Sequence, residues 1–362
     1  MKHSVLLLSR YERKGPSSRV RHYNYIPALE QAGFQVTSAP FLDQEYLDAF
    51  FSGHRRSLRL LAKAYLRRLP QVLSASRHDL IWIEKEALPW LPSAVERTLF
   101  RGRPIVVDFD DAWYLRYAEH RNPIVRALLG SKFESVISHA AAVTTGSSAL
   151  TEWARPHARV VVELPPAVDV ARYPVLPLPE GPFTVGWIGT PRNEPYVEVV
   201  AEPLRRLHRD CGARLRLIGG SGRFSIEGVP VDQIPWSEAT EARELAACHV
   251  GVMPLLDGPW ERGKCGYKLI QYMAAGRATV ASPVGAGSSV VVPGETGFLA
   301  NGIEEWTTAL RKLASDRDHT RKLGLAGRAR AEEAYSLQAL APKLVEVLER
   351  AVRAPTLIDR GP

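Results

Sequence analysis

Two patterns in this 362-residue chain could do chemistry: basic side chains set among glycines, and acids set at the ends of apolar runs. The first is densest in ERGKCGYKLIQYMAAGRATVASPVGAG, from Glu261 to Gly287. There Gly263 and Gly266 let the backbone approach a ligand closely, and Lys264 and Lys268 flank the point where a helix begins. Ammonium groups beside the free amides of a helix start suit an anion of the phosphate type. Solvated surface lysines are the alternative, and the two glycines weigh against it. A sparser loop, Gly189-Thr190-Pro191-Arg192-Asn193, puts a glycine turn and an arginine before another helix. Gly219-Gly220-Ser221-Gly222 is weaker, because such a run also serves as a flexible connection. The second pattern is Asp108-Phe109-Asp110-Asp111-Ala112, with Glu84 ending an earlier apolar run. Three carboxylates within four positions should raise one another's pKa, which favours a proton acceptor, a metal ligand or a binder of sugar hydroxyls. A helix cap by Asp110 or Asp111 is the competing reading.

The elements that must hold these residues follow from the apolar periodicity. Buried strands are expected at Val5 to Leu8, Leu80 to Ile83, Pro104 to Asp108, Ala141 to Thr145 and Arg159 to Glu163. In the second half they are expected at Phe183 to Ile188, Arg214 to Ile218, His249 to Met253, Ala278 to Ala281 and Gly297 to Ala300. The loop Ser9 to Ser18 leads to a helix from about Arg19 to Ala32, capped by Ser17 or Ser18 and closed by Gly33. Arg19 and Arg21 there read, from the residues alone, as surface arginines on an exposed helix. Strand, loop and helix alternate in both halves, so ligand loops should gather at the carboxyl ends of parallel strands. The proline-rich run VARYPVLPLPEGP reads as a linker, with the boundary at 174–182. His249, among apolar neighbours, reads as structural.

Composition sets the bounds. A soluble mixture of 45% hydrophobic and 24% charged residues in a chain of this length fits two domains. The first apolar run is too short for a signal peptide and nothing approaches a membrane span, which points to a cytoplasmic protein. Cys211, Cys248 and Cys265 lack metal-ligand spacing and suit a reducing compartment as packing residues. The net charge of +8 calls for anionic partners. Residues 49–78 hold no acid, yet contain Arg55, Arg56, Arg59, Lys63, Arg67, Arg68 and Arg77. On a helix, Leu58, Leu61, Tyr65, Leu69 and Val72 fall on one side and Arg56, Arg59, Lys63 and Arg67 on the other. Residues 54–73 therefore suit either an anionic membrane surface or ordinary packing with the charges in water. Nucleic acid fits poorly, since the patch is local and no recognition motif accompanies it.

GKCGYKLIQYMAAG followed by VASPVG resembles the C-terminal signature of bacterial family-4 retaining glycosyltransferases, the group 1 glycosyltransferases. DFDDA resembles the acceptor-side signature of a subset of them, and Arg321 to Arg330 with Tyr335-Ser336-Leu337 resembles their closing segment. The resemblance implies an α/β protein of GT-B fold, with two facing Rossmann-like domains of parallel sheets and a C-terminal helix crossing back to the first. The domains would be 1–173 on the acceptor side, a linker at 174–182, 183–337 for the nucleotide sugar, and the returning helix at 338–362. Most of the family carries two glutamates that fall here on Gly263 and Gln271. Gln271 can still bond a ribose diol, and Glu261 is a neighbouring substitute for the first. The resemblance further implies that Gly189, Arg192, Gly263, Lys264, Gly266 and Lys268 face the donor diphosphate and that Ile234-Pro235-Trp236 approaches the nucleobase. Asp110, where many relatives have histidine, would act with Asp111 and Lys268 in catalysis, and Arg19, Arg21, Glu84 and Asp108 would lie on the acceptor side. The expected activity is retaining transfer of a sugar from a UDP- or GDP-linked donor to a hydroxyl of a glycan, glycolipid or other acceptor, in cell-envelope or polysaccharide synthesis, with no metal or other cofactor. A same-fold epimerase or phosphorylase, and a non-catalytic nucleotide-sugar-binding protein, are the rival readings.

Overall fold

The computed structural model describes residues 3–51 and 57–354. Residues up to Pro166, together with those from Leu340 on, form one compact unit, and Ala167–Ala339 form the other. The first unit holds six strands, β1 (His3–Leu8), β2 (Phe34–Ser38), β3 (Leu80–Glu84), β4 (Ile105–Phe109), β5 (Ala142–Thr145) and β6 (Val161–Glu163). All are parallel, in the order β2-β1-β3-β4-β5-β6. Continuous apolar runs make β3 and β4 buried at every residue, as strands covered on both faces must be.

The second unit repeats the plan with β7 (Thr184–Ile188), β8 (Arg214–Ile218), β9 (Val231–Ile234), β10 (Val250–Met253), β11 (Ala278–Ala281) and β12 (Gly297–Leu299). Their order is β12-β11-β10-β7-β8-β9, again parallel throughout. Successive side chains leave opposite faces of a strand. Val185, Trp187, Leu215 and Leu217 therefore pack with Trp306, Leu310 and Leu313, while Ile188 and Ile218 join Leu269, Ile270 and Met273 in the other layer. In each sheet the chain order reverses beside the first strand, between β1 and β3 and between β7 and β10. Doubly wound sheets bind ligands at the carboxyl ends of strands flanking such a point.

Several local expectations change. The helix expected over 19–32 is two helices, Pro16–Arg21 and Ile26–Gln31, joined by the tight turn Tyr23–Tyr25. Pro27 has no amide hydrogen to continue the first helix, so the chain restarts there. Gly15, not a serine, is the N-cap, with Pro16 in the first turn. Strands β2 and β9 were not anticipated. Both are sheet edges, with one buried residue in β2 and none in β9, so neither carries a core-facing apolar pattern. The proline-rich stretch is fastened to the second unit, where Tyr173 is core and Arg277 donates to the carbonyls of Leu176 and Pro177 at 2.8 and 3.1 Å. Cys248 and Cys265 are buried, but Cys211 is exposed. Among the described residues no helix is long and apolar enough to cross a membrane.

The basic helix spans Leu58–Leu73, with Ser57 accepting a hydrogen bond from the Leu60 amide. Arg55 and Arg56 lie outside the described residues. The sidedness differs from the expected one. Ala64, Arg68 and Val72 are its buried residues, while Leu58, Leu66, Leu69 and Leu73 are exposed. Arg68 reaches inward to the carbonyls of Ala39 and Ser9, both at 2.8 Å. Lys63 pairs with Glu45 at 2.7 Å and Arg67 with Asp43 at 2.8 Å. An arginine can lay its aliphatic stem along apolar neighbours, and the Arg68 head finds two backbone carbonyls on the packed face.

Candidate functional site

The glycine-rich loops of the second unit converge at the switch point. Gly189 leaves β7 with its amide bonded to the Ile218 carbonyl at 3.0 Å. A Cβ at Gly189 would stand 2.4 Å from the Trp187 ring and 2.8 Å from Lys268 Nζ. The lysine ammonium thus occupies the space that a side chain would take, 4.3 Å from the Trp187 ring centroid. Lys268 is delivered by the helix Tyr267–Ala274, whose N-cap Gly266 has φ 72°, a left-handed conformation natural to glycine. Gly219 packs on the Gly189 carbonyl and on Trp236, the nucleobase-side candidate. The Gly219–Gly222 run is not a slack connection: Glu194 accepts from the Ser221 amide at 2.7 Å and from its hydroxyl at 2.9 Å. Gly263 caps the helix Pro259–Arg262, the Lys264 backbone carbonyl accepts from the Ala286 amide at 2.9 Å, and Arg192 is exposed at the start of its segment. The loops carrying Lys264 and Gly285 are thereby stitched together.

Gln271 is buried and engaged within the protein. Its amide nitrogen lies 3.3 Å from the Tyr173 hydroxyl, which donates to Glu241, and Trp236 Nε1 donates to the same carboxylate at 2.6 Å. Burial, with Tyr267 and Glu241 nearby, pushes the Tyr173 phenol well above its usual range, so it stays a donor. This chain of bonds joins the ribose-side candidate to Trp236, while Ile234 accepts from the Gly219 amide at 2.8 Å and Pro235 is exposed. Glu261 accepts from the Tyr196 hydroxyl.

In the first unit the carboxyl ends of β1, β3 and β4 carry a buried charge network. Glu84 accepts from the Arg10 amide at 2.8 Å and from the hydroxyls of Ser17 and Ser18 at 2.9 and 2.5 Å. The two serines expected to cap a helix serve this carboxylate instead, because Gly15 and Pro16 place them in the first turn facing β3. Lys85 Nζ contacts Asp110 Oδ1 at 2.8 Å, Ser17 Oγ at 2.8 Å and Glu84 Oε1 at 3.1 Å. The backbone of Lys85 has φ 66°, unusual for a residue with a side chain. Such conformations gather at functional sites when the surroundings enforce them. Burial would raise the Asp110 carboxyl, but Lys85 and the Ser17 hydroxyl outweigh it and hold the group at about 2. The expected mutual raising of the carboxylates does not occur at Asp110, because a buried cation stands among them. Asp111 adds to the pull on Lys85.

Arg21 and Asp108, both acceptor-side candidates, form a buried pair at 2.5 and 3.0 Å, with Thr144 and the Leu164 carbonyl completing it. Arg19 is also buried. His22 lies 3.9 Å from Glu84 and 3.8 Å from Asp108, and burial lowers its pKa despite both acids, which favours the neutral ring. Lys85, His22, Tyr173, Glu194 and Glu241 escaped the sequence reading. Lys85 meets Ser17 from 68 residues away, Tyr173 meets Glu241 from 68, and Glu194 meets Ser221 from 27, pairs that only the folded sheets reveal.

Residues 182–316 match the family model described as Glycosyl transferases group 1. No curated protein matches the chain. Among solved structures it is similar to sucrose-phosphate synthase from Thermosynechococcus elongatus, with a TM-score of 0.73 at 18% identity, covering 97% of this chain and 99% of that one. HepE of Anabaena, solved with UDP, gives 0.68 at 16% identity, covering 96% and 100%. Trehalose 6-phosphate synthase from Burkholderia multivorans gives 0.62 at 15%, covering 98% and 99%. Two Rossmann-like units with six parallel strands each are thus the GT-B fold of glycosyltransferases. Within the second unit, residues 182–316 carry the match to the group 1 glycosyl transferase model.

Proposed function

We propose that the chain is a retaining glycosyltransferase that moves a sugar from a UDP- or GDP-linked donor to a hydroxyl of a glycan, glycolipid or other acceptor in cell-envelope or polysaccharide synthesis, on the cytoplasmic side of the membrane. The observation that carries this reading is the ammonium of Lys268, held against Gly189 at the switch point of the group 1 domain. Departure of a nucleoside diphosphate builds negative charge on its oxygens. Lys268, Lys264 and Arg192, with the amides opening the helix Tyr267–Ala274, would offset that charge as it forms. No metal is assigned a part in this scheme. Gln271 and Trp236, joined through Tyr173 and Glu241, would frame the ribose and the base. Support for a uridine donor comes from the similar HepE, solved with UDP and with UDP-glucose. Asp110, ionised at neutral pH, is a weak base. It fits orientation of acceptor hydroxyls better than proton abstraction.

The test is the melting temperature of the purified protein with UDP, GDP, dTDP or ADP. A nucleotide at a hundred times its Kd stabilises by about 2.7 kcal/mol, a rise of several degrees. The expected outcome is a shift with UDP or GDP that persists in EDTA and disappears in Lys268→Ala. No shift with any nucleotide would overturn the reading. A nucleotide-sugar-binding protein without turnover is the second reading, favoured by Gly263 and Gln271 standing where most of the family has glutamates; hydrolysis or transfer of the donor sugar would exclude it.

A further inference from the structure

The helix Leu58–Leu73 turns a stripe of leucines to solvent: Leu58, Leu66, Leu69 and Leu73 are 81, 75, 53 and 59% exposed. With exposed Ala62 they recur at intervals of three and four, one continuous face about 22 Å long. Single exposed leucines need no explanation, but a full apolar stripe on a helix does. The surface continues beyond the helix. The Tyr65 hydroxyl donates to the Pro89 carbonyl, and next in the chain come Trp90 and Leu91, 40 and 37% exposed. Trp90 has φ 63°, and the Arg116 guanidinium lies over its ring at 4.9 Å. That grouping of indole and cation suits a lipid headgroup layer. No acid occurs from residue 49 to residue 78, and Arg59, in the first turn of the helix, and Arg77, just past its end, are exposed.

We propose that this face docks on an anionic lipid bilayer, the leucines entering the acyl boundary and the flanking arginines meeting the headgroups. Lys63 and Arg67 are paired with acids of the protein itself, so insertion of the leucines, rather than the basic side of the helix, dominates the contact. The residues from Lys85 to Trp90 leave the carboxyl end of β3, so the docked face adjoins the network of Glu84, Lys85 and Asp110.

Flotation of the full chain with vesicles of phosphatidylglycerol and phosphatidylethanolamine tests this, against vesicles of phosphatidylcholine alone. Wild type should float with the anionic vesicles, and Leu66→Glu/Leu69→Glu should reduce binding by about tenfold or more, with the melting temperature and the response to UDP unchanged. Absence of wild-type flotation, or undiminished flotation of the double variant, overturns the proposal. So does a wild-type dimer that the same substitutions convert to monomer, because a second copy would then be the occupant. The nucleotide response is read separately, so failure here leaves the glycosyltransferase reading standing.

Discussion

Lys85 illustrates how one residue can set the charge state of several. Its ammonium lies between Glu84 and Asp110 and is itself kept protonated, burial being outweighed by the two acids. The Asp110 pKa of about 2 lies below its ordinary value of 3.8. Its contribution to stability, about 2 kcal/mol, is therefore complete above pH 3.8 and is lost as the pH falls through 2. Replacement of Lys85 by methionine removes the cation and leaves the acids buried, a change that costs about 3–5 kcal/mol. Denaturant unfolding should register that loss, and the carboxyl resonance of Asp110 should titrate well above 2 in the variant. If Asp110 kept its low pKa without Lys85, the other donors around it would be sufficient and this account would fail.

At the scale of elements, the helix Tyr267–Ala274 depends on how it begins. Gly266 takes a left-handed conformation, and a Cβ there would meet Val290 at 3.1 Å and Ala286 at 3.3 Å. Gly266→Ala should cost about 1–2 kcal/mol and weaken nucleotide binding disproportionately, because the first turn aims Lys268; calorimetric titration with UDP beside thermal unfolding separates the two effects. The start of β7 is tied to the residue before β10 in another way. His249 Nδ1 accepts from the Thr184 amide at 2.9 Å, and Nε2 is 2.9 Å from the Pro179 carbonyl, to which it donates. Burial, then Arg317, lowers this imidazole from 6.5 to about 4. Between those values the unfolded chain binds a proton that the folded one refuses. Stability is thus complete above pH 6.5 and declines as the pH drops toward 4. His249→Asn cannot charge, so its stability should change less over that interval. Equal slopes for the two proteins would show that other groups govern it.

Across the whole molecule, each unit has its own sheet and its own loops at the carboxyl ends of the strands; in the proposed function, the loops of the second unit hold the nucleotide. UDP should therefore slow amide exchange at 189–193, 219–222 and 264–271 in the full chain, leaving β1 to β6 unchanged. Slowed exchange centred on Ser17, Lys85 and Asp110 instead would move the nucleotide to the first unit. The leucine stripe belongs to this scale too. A helix that exposes it is a poor soluble surface on its own, and contact with a lipid layer would remove that apolar area from water.

The sequence by itself determined the alternation of strands and helices and the glycine-bearing loops between them. Buried parallel strands such as Leu80-Ile81-Trp82-Ile83 are continuous apolar runs, and Gly263 and Gly266 mark loop and helix-start positions within one short segment. It could not show β2 or β9, whose edge positions demand no core-facing pattern. Nor could it assign partners. Arg21 looks like a surface arginine until Asp108, 87 residues on, is brought beside it, and Gln271 looks free until Tyr173 arrives from 98 residues away. Tertiary structure alone decided which charges are paired, which leucines face water and which carboxylate stays ionised. Those properties depend on contacts between distant segments and on burial, whereas local apolar patterning is written along the chain.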